Sequence, residues 1–299
     1  MRLDQALAQL LPQHSRMRLK SWIDDGLVTI DGEIVQPRHR VGEGEAVMLR
    51  EATIVEALGD RPEALPLVVV DEDDAILVID KPAGLVVHPG AGNRTGTLLN
   101  ALLHHSPMLA DVPRAGIVHR LDKDTSGLLV AAKTLEAHTD LVRQLAARSV
   151  LREYLALVRG DMTKSVIVDA PIGRHPQRRT SMAVVARGKP ARTHVDVVAR
   201  GGAATLVRCR LETGRTHQIR VHLASIGHAL VGDPLYVGRS GRAPAALEDF
   251  PRQALHAQRL GLSHPTTRRK RSWTSPLPDD FAALLDAIDI DASAGSERR

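Results

Sequence analysis

Residues 116–130 read Gly116-Ile117-Val118-His119-Arg120-Leu121-Asp122-Lys123-Asp124-Thr125-Ser126-Gly127-Leu128-Leu129-Val130, an apolar strand-like run, a knot of charge and a second apolar run. The knot holds two carboxylates, two cations and a histidine within six positions. Its flanks demand burial, and charges carried between buried strands cost stability unless they neutralise one another. The chain must therefore fold so that core strands present a polar loop. A functional site satisfies this, and so does an ion-paired turn at the surface; charge clustering alone does not separate them.

The surroundings suit a mixed α+β fold. From Leu67 onward short β-branched runs (Leu67–Val70, Ile76–Ile79, Leu128–Val130) are punctuated by Gly and Pro, with a few helical stretches and no regular βαβ alternation. The spacing predicts a helix over 134–148, with Leu135, Leu141, Val142 and Leu145 sharing one side. The first sixty residues read as a separate small α+β module. There Ser15 caps a helix over 16–25, Gly26 ends it, and Asp31-Gly32 turns strand 27–30 into its partner at 33–35. Arg16, Arg18 and Lys20 give that helix a basic edge, an RNA-binding candidate or simply a solvated face. Residues 51–67, with Pro62 and Pro66, read as a linker, 68–290 as the main domain, and 291–299 as a frayed tail.

Composition narrows the function. Residues 1–60 hold seven basic and ten acidic side chains and the remainder thirty-three and twenty-five, so the larger part carries the field that a polyanion would meet. Only six residues are aromatic, which disfavours an RNA-binding sheet that stacks successive bases on exposed rings. The single cysteine, Cys209, rules out an internal disulfide and any zinc site with two or more thiolates. No apolar run reaches the ~20 residues that span a bilayer, and the start lacks the apolar core of a signal peptide, so the expected location is cytoplasmic.

Three stretches imitate familiar sites. In Gly90-Ala91-Gly92-Asn93-Arg94-Thr95-Gly96 the third glycine comes one position late for a dinucleotide fingerprint, so the segment reads as a turn. Asp122–Gly127 begins like a calcium loop, but its twelfth position is Lys133 where a bidentate Glu is required. Fourteen histidines include no His-Glu-x-x-His, and His217 and His222 would diverge on a helix. No metal is expected.

Two further segments carry chemistry. In Gly214-Arg215-Thr216-His217-Gln218-Ile219-Arg220-Val221-His222-Leu223-Ala224, Thr216 can cap a helix ended by Gly227, and Arg220 and His217 project from its first turns toward an anion. Arg152-Glu153-Tyr154 opens an alternating strand with one of only two tyrosines, a residue more often core than catalyst.

Together these words, in this order and with Lys81-Pro82-Ala83-Gly84-Leu85-Val86-Val87-His88-Pro89-Gly90 and Gly232-Asp233-Pro234-Leu235-Tyr236, resemble the RluA-type pseudouridine synthases over about residues 68–287. The first segment resembles an S4 RNA-binding module. Ala229 departs from the family, which often has Pro after Gly-His. The resemblance implies a mainly antiparallel sheet with flanking helices and Asp122 as the essential carboxylate. It implies that Arg220 pairs with Asp122, and that Tyr154 packs on the target base and can assist removal of the C5 proton. Arg120 would enter the RNA stack as the base flips out, unless it is held in an internal ion pair with Asp124. His119, Arg215 and His217 stand beside it as RNA-contact candidates. The implied partner is large-subunit ribosomal RNA or the assembling large subunit, met by a monomer without cofactor. An RNA-binding assembly factor with incidental catalysis, and an RNA N-glycosylase, remain the competing readings.

Overall fold

The computed structural model describes residues 1–11, 16–42, 44–49, 61–90, 92–178, 180–237 and 244–291, with the backbone alone at 16–18 and 21. Ser15, most of the expected linker and the expected tail beyond residue 291 lie outside the described residues. The chain divides into two compact units, Met1–Leu65 with His88–Ile117, and Pro66–Val87 with Val118–Arg299.

In the first unit, helices α1 (Leu3–Leu10) and α2 (Arg16–Asp24) accompany strands β1 (Val28–Ile30), β2 (Glu33–Ile34) and β3 (Val47–Leu49), ordered β2-β1-β3 and antiparallel. Leu3 and Leu7, and Leu19 and Ile23, repeat one helical turn apart and bury against Val28 and Ile30. Asp31 and Gly32 both take positive φ, the two-residue turn that an Asp-Gly pair favours, and set Ile30 opposite Glu33. In the same unit Gly90 and Asn93 exchange backbone hydrogen bonds and close the expected turn, ahead of helix α3 (Leu98–His105).

The second unit is built on a sheet of nine described strands: β4 (Val68–Glu72), β5 (Ile76–Lys81), β6 (Ser126–Ala132), β7 (Leu151–Arg159), β8 (Val166–Asp169), β11 (Arg192–Arg200), β12 (Ala204–Leu211), β13 (Leu255–Ser263) and β14 (Lys270–Thr274). The intervening β9 (Ile172–Arg174) and β10 (Met182–Val184) form their own hairpin. The main order is β4-β5-β6-β13-β7-β12-β11-β8, with β14 on β13; only the β6–β13 pair is parallel. The fold is thus α+β with a mixed, mainly antiparallel sheet.

Helix α4 (Leu135–Ala146) forms where expected, with Thr134 accepting a hydrogen bond from Ala137 N, but its buried face differs from the expected one. Leu135 and Val142 are exposed, whereas Ala137, Asp140 and Leu141 are buried and Leu145 packs beside them. At about 100° per residue, Leu135 and Val142 fall together on the side away from Ala137 and Asp140, so the four apolar residues span two faces.

Helices α5 (Gln218–Ser225), α6 (Ala245–Glu248) and α7 (Asp279–Asp286) complete the unit. Residues paired across an antiparallel ladder share a face. Tyr154, Cys209 and Val195 therefore point one way, as does Thr193 two residues on, whose hydroxyl meets His222 of α5. Leu155, Leu157 and Leu206 point the other way, onto Phe281, Leu284 and Leu285 of α7. The tyrosine thus shares its face with α5, and α7 seals the back of the sheet.

Candidate active site

The charged knot becomes the loop entering β6, and it is braced from its backbone side. Lys81, fully buried at the end of β5, donates from Nζ to the carbonyls of Pro82 (2.7 Å), Leu85 (2.9 Å) and Lys123 (2.9 Å). Burial pushes this ammonium down to about 7, against the fields of Asp124 and Asp122. Arg252, itself paired with Asp280, donates to the Asp124 carbonyl, and Gln253 donates to Thr125 Oγ1. Gly127 follows with φ +109 at the parallel contact with β13, where a Cβ would stand 2.3 Å from the Ala257 carbonyl oxygen. Only glycine lets the loop enter the sheet there.

Held this way, Asp122 keeps a partly exposed carboxylate whose Oδ2 accepts from Arg220 Nη1 at 2.9 Å. The two residues stand 98 positions apart in the chain. The guanidinium fork faces a different acid. Nε and Nη2 of Arg220 donate to the two oxygens of Asp233 at 2.7 and 2.9 Å, and that side chain is 0% exposed. Asp233 also accepts from the backbone N–H groups of Leu235 and Tyr236. Gly232 precedes it at φ +70, where a Cβ would lie 2.0 Å from the Arg252 carbonyl oxygen. Burial works against the charge of Arg220, but the hydrogen bonds and charges of Asp233 and Asp122 outweigh it and raise its pKa. Burial likewise opposes ionisation of Asp233, and Arg220 overcomes it, holding that carboxyl below the usual range.

Helix α5, which carries Arg220, begins differently from the expectation. His217, not Thr216, is its N-cap, in the left-handed region at φ 55, and its side chain makes no capping bond. The Gln218 side chain organises the turn instead: its Oε1 accepts from Thr213 Oγ1 and Arg215 N, and its Nε2 donates to the Arg192 carbonyl and Thr193 Oγ1. Gly227, at φ +87, follows the helix as expected. His217 places Nε2 3.8 Å from Asp122 Oδ1 and Nδ1 2.8 Å from the Tyr236 hydroxyl.

Tyr154 is buried on the same side of the sheet, and burial pushes its phenol up to about 12, with Arg152 opposing and Asp122 adding to the rise. The remaining candidates scatter. His119 accepts from Val130 N through Nε2, and burial drives its ring down to about 3, so at neutral pH it is an uncharged brace for the loop. Arg215 donates to the Pro190 carbonyl. Arg120 is exposed, and the ion pair with Asp124 weighed from the sequence is not formed. Lys20 pairs with Asp24 at 3.3 Å on the surface of α2; the side chains of Arg16 and Arg18 are outside the described residues. His217 and His222 diverge, the latter toward Thr193 and the Ala170 carbonyl. Among the described residues no cluster of three His, Cys, Asp or Glu is placed to hold a metal ion, and no helix is long and apolar enough to cross a membrane.

In the sequence Asp233, Tyr236 and Lys81 stand only as parts of the matching words. The available signal was electrostatic: an arginine buried beside a needed carboxylate calls for a second acid, and Gly232-Asp233-Pro234 supplies one on a tight turn.

The family model described as RNA pseudouridylate synthase matches residues 75–225, and the S4 domain model matches residues 1–47. A relative from Nitrosomonas europaea, named ribosomal large subunit pseudouridine synthase D, is 58% identical over 291 residues, covering 96% of this chain and 84% of its own. Proteins of the same name from Pseudomonas aeruginosa and Escherichia coli K12 are 56% and 51% identical, covering 98% and 97% of this chain and 93% and 91% of theirs. Among solved structures, human RNA pseudouridylate synthase domain containing 1 superposes with a TM-score of 0.57 at 29% identity, over 72% of this chain and 85% of that one. By its matching family model and its long, close alignments, the chain belongs to the RNA pseudouridylate synthase family, enzymes that isomerise uridine in RNA, and carries an S4 domain at its N-terminus.

Proposed function

We propose that this synthase acts on uridines of large-subunit ribosomal RNA, as a cytoplasmic monomer, with Asp122 as its catalytic carboxylate. The substrate class rests on the names of its close relatives. The catalytic assignment rests on one observation above the rest: Asp122 stands partly open to solvent with a single oxygen engaged by a guanidinium whose fork is occupied elsewhere.

The chemistry asks for such a group. The N1–C1′ bond breaks, C5 bonds to C1′, the C5 proton departs and N1 gains one, so atoms and electrons balance without a donor or an oxidant. The ribose either becomes electron-poor and oxocarbenium-like or loses a proton from C2′. An ionised carboxylate beside C1′ can serve either route, and for the oxocarbenium-like one glycosidase carboxylates do the same. Tyr154, a protonated phenol at neutral pH, offers a flat face to the base and a hydroxyl for relaying the C5 proton.

A stacked uridine cannot present C1′ to a half-buried carboxylate, so the nucleotide must leave the stack, at a cost of a few kcal/mol. Arg120 is exposed two residues before Asp122 and, among the described residues, forms no ion pair. Its planar cation can fill the vacated position and bond phosphate. The S4 domain and its basic helix would add grip on structured RNA.

The test is tritium release from C5-labelled uridine in a large-subunit RNA fragment. The parent chain should turn over, and Asp122→Asn should release no tritium while still binding the RNA. Turnover by Asp122→Asn would refute the assignment, and free uracil among the products would replace isomerisation by glycosidic hydrolysis.

A further inference from the structure

We propose that His217 is a positioning residue for Asp122, its ring locked by Tyr236 in the tautomer that carries the proton on Nε2 and turns that N–H toward Asp122 Oδ1. The inference rests on the reading of Asp122 as the catalytic carboxylate and adds a second hand to it. Arg220 holds Oδ2, and His217 faces the oxygen that Arg220 leaves open.

The tautomer follows from the hydrogen-bond inventory. Tyr236 Oη accepts the backbone N–H of Met182 at 2.9 Å. The hydroxyl proton then has His217 Nδ1, 2.8 Å away, as its acceptor in the arrangement that keeps Nδ1 unprotonated and turns Nε2–H to the carboxylate. The neutral ring therefore bears its proton on Nε2, 3.8 Å from Asp122 Oδ1. The opposite tautomer would set an Nε2 lone pair against the Asp122 carboxylate, a repulsion that selects the Nε2–H form. Burial holds the ring neutral, aided by Arg220 and Arg120 and opposed by Asp122 and Asp233. At 3.8 Å the N–H is too far for a hydrogen bond, and a shift of about 0.7 Å closes it. Catalytic hydrogen bonds commonly tighten in this way only when substrate arrives.

The support around the pair is more than packing requires. His217 sits in a left-handed conformation that a residue with a Cβ enters at a cost, and the Gln218 side chain fixes the turn that imposes it. Tyr236 is held from three sides, by Met182 N, by its own N–H on Asp233 Oδ1, and by the Arg220 guanidinium 5.1 Å from its ring centre. Its ring meets His217 edge-on, with centroids 5.7 Å apart. Backbone strain held by such surroundings marks a side chain whose direction matters.

Two measurements on the full chain test this. In ¹⁵N-histidine NMR at pH 7.5, the signal that disappears in His217→Gln should be a neutral ring with its proton on Nε2, and Tyr236→Phe should shift it toward a tautomer mixture. In single-turnover tritium release at saturating RNA, His217→Ala should be slower by about tenfold or more, one hydrogen bond's worth of transition-state energy, with unchanged RNA affinity. His217→Gln, whose amide can place an N–H where Nε2 stood, should recover most of the rate. An imidazolium or Nδ1–H ring, a His217→Ala variant at the parent rate, or a His217→Gln variant as slow as His217→Ala at equal melting temperature would each overturn the inference. Asp122→Asn run alongside separates the failures: if it retains turnover, the reading of Asp122 falls too; if it is inactive while His217→Ala is unimpaired, only the role of His217 falls.

Discussion

Replacing Asp233 with asparagine keeps the shape of the side chain but removes the charge facing the Arg220 fork. Both partners are nearly inaccessible, at 5% and 0% side-chain exposure, and two N–H groups of Arg220 end on that carboxylate. Removing one member of a buried pair costs about 3–5 kcal/mol, because the other is left charged and undercompensated. Asp122 still offers Arg220 one oxygen, which points to the lower end, about 3 kcal/mol. For a domain of this size that lowers the melting temperature by roughly 6–12 °C. The double variant Arg220→Met with Asp233→Leu removes both charges together, and apolar replacement of a whole buried pair is commonly neutral or stabilising. It should therefore regain stability to within about 1 kcal/mol of the parent although each single replacement costs about 3 kcal/mol, a coupling of about 5 kcal/mol. It should stay catalytically dead, since Asp122 has lost its donor. Thermal and urea unfolding of Asp233→Asn and of the four proteins in the cycle (parent, Arg220→Met, Asp233→Leu and the double variant), with single-turnover tritium release on each, measure both quantities. An Asp233→Asn chain melting within about 2 °C of the parent, or a double variant no more stable than the singles, would refute the reasoning.

Other perturbations test other parts. Lys81 loses its proton near 7 in the folded chain and at 10.5 in its ordinary state; between those values the unfolded chain binds the extra proton, so stability must rise with pH, by up to about 1.4 kcal/mol per unit. Urea unfolding at pH 7, 8 and 9 should show this slope in the parent and not in Lys81→Met, and parallel curves would count against it. Tyr154→Phe should keep RNA affinity and slow single-turnover release by about 10²-fold, the scale of a lost proton-transfer group; an unchanged rate would leave the tyrosine only its ring. Changing Arg16, Arg18 and Lys20 to Gln should weaken RNA binding and flatten its salt dependence by about one log unit per lost phosphate contact, with the rate at saturating RNA unaltered. A salt slope equal to the parent's would remove this helix edge from the interface.

What could be read from the residues was whatever a short window decides. The Asp31-Gly32 hairpin, the strands at 68–72, 76–81 and 126–132 and the helix that follows residue 134 all follow from local chemistry. The buried face of α4 was misread because four apolar residues were counted without their angular phase. The start of α5 was misread because Thr216 is a good cap in isolation, while the side chain of Gln218, tied to Thr213 and Thr193, decides the turn. Asp122 and Arg220 were paired through family likeness, since no spacing rule joins residues 98 positions apart. Asp233 and Lys81 escaped for a related reason. A buried charge gains its meaning from partners that tertiary structure delivers, here the Arg220 fork for one and three carbonyl oxygens for the other.

The presence of two acids for one arginine has its own logic. A lone Arg–Asp pair in a water-poor site tends toward the bidentate fork, which engages both carboxylate oxygens. That geometry would occupy Asp122 entirely. Here the fork is taken by Asp233, which Gly232 and two backbone N–H groups hold in place, and Asp122 receives a single N–H, from Nη1. One oxygen is fixed by Arg220, and the other, facing His217 Nε2, is left without a guanidinium bond. The charges of Asp122, Arg220 and Asp233 sum to minus one, and a neutral His217 leaves that sum unchanged. On the proposed reading of Asp122, the cluster would present a negative field to a ribose that becomes electron-poor. Exchanging the roles, with the fork on Asp122 and the single bond on Asp233, would preserve the net charge and remove the free oxygen. On that reading the arrangement of the hydrogen bonds, more than the count of charges, is what would prepare the site for reaction.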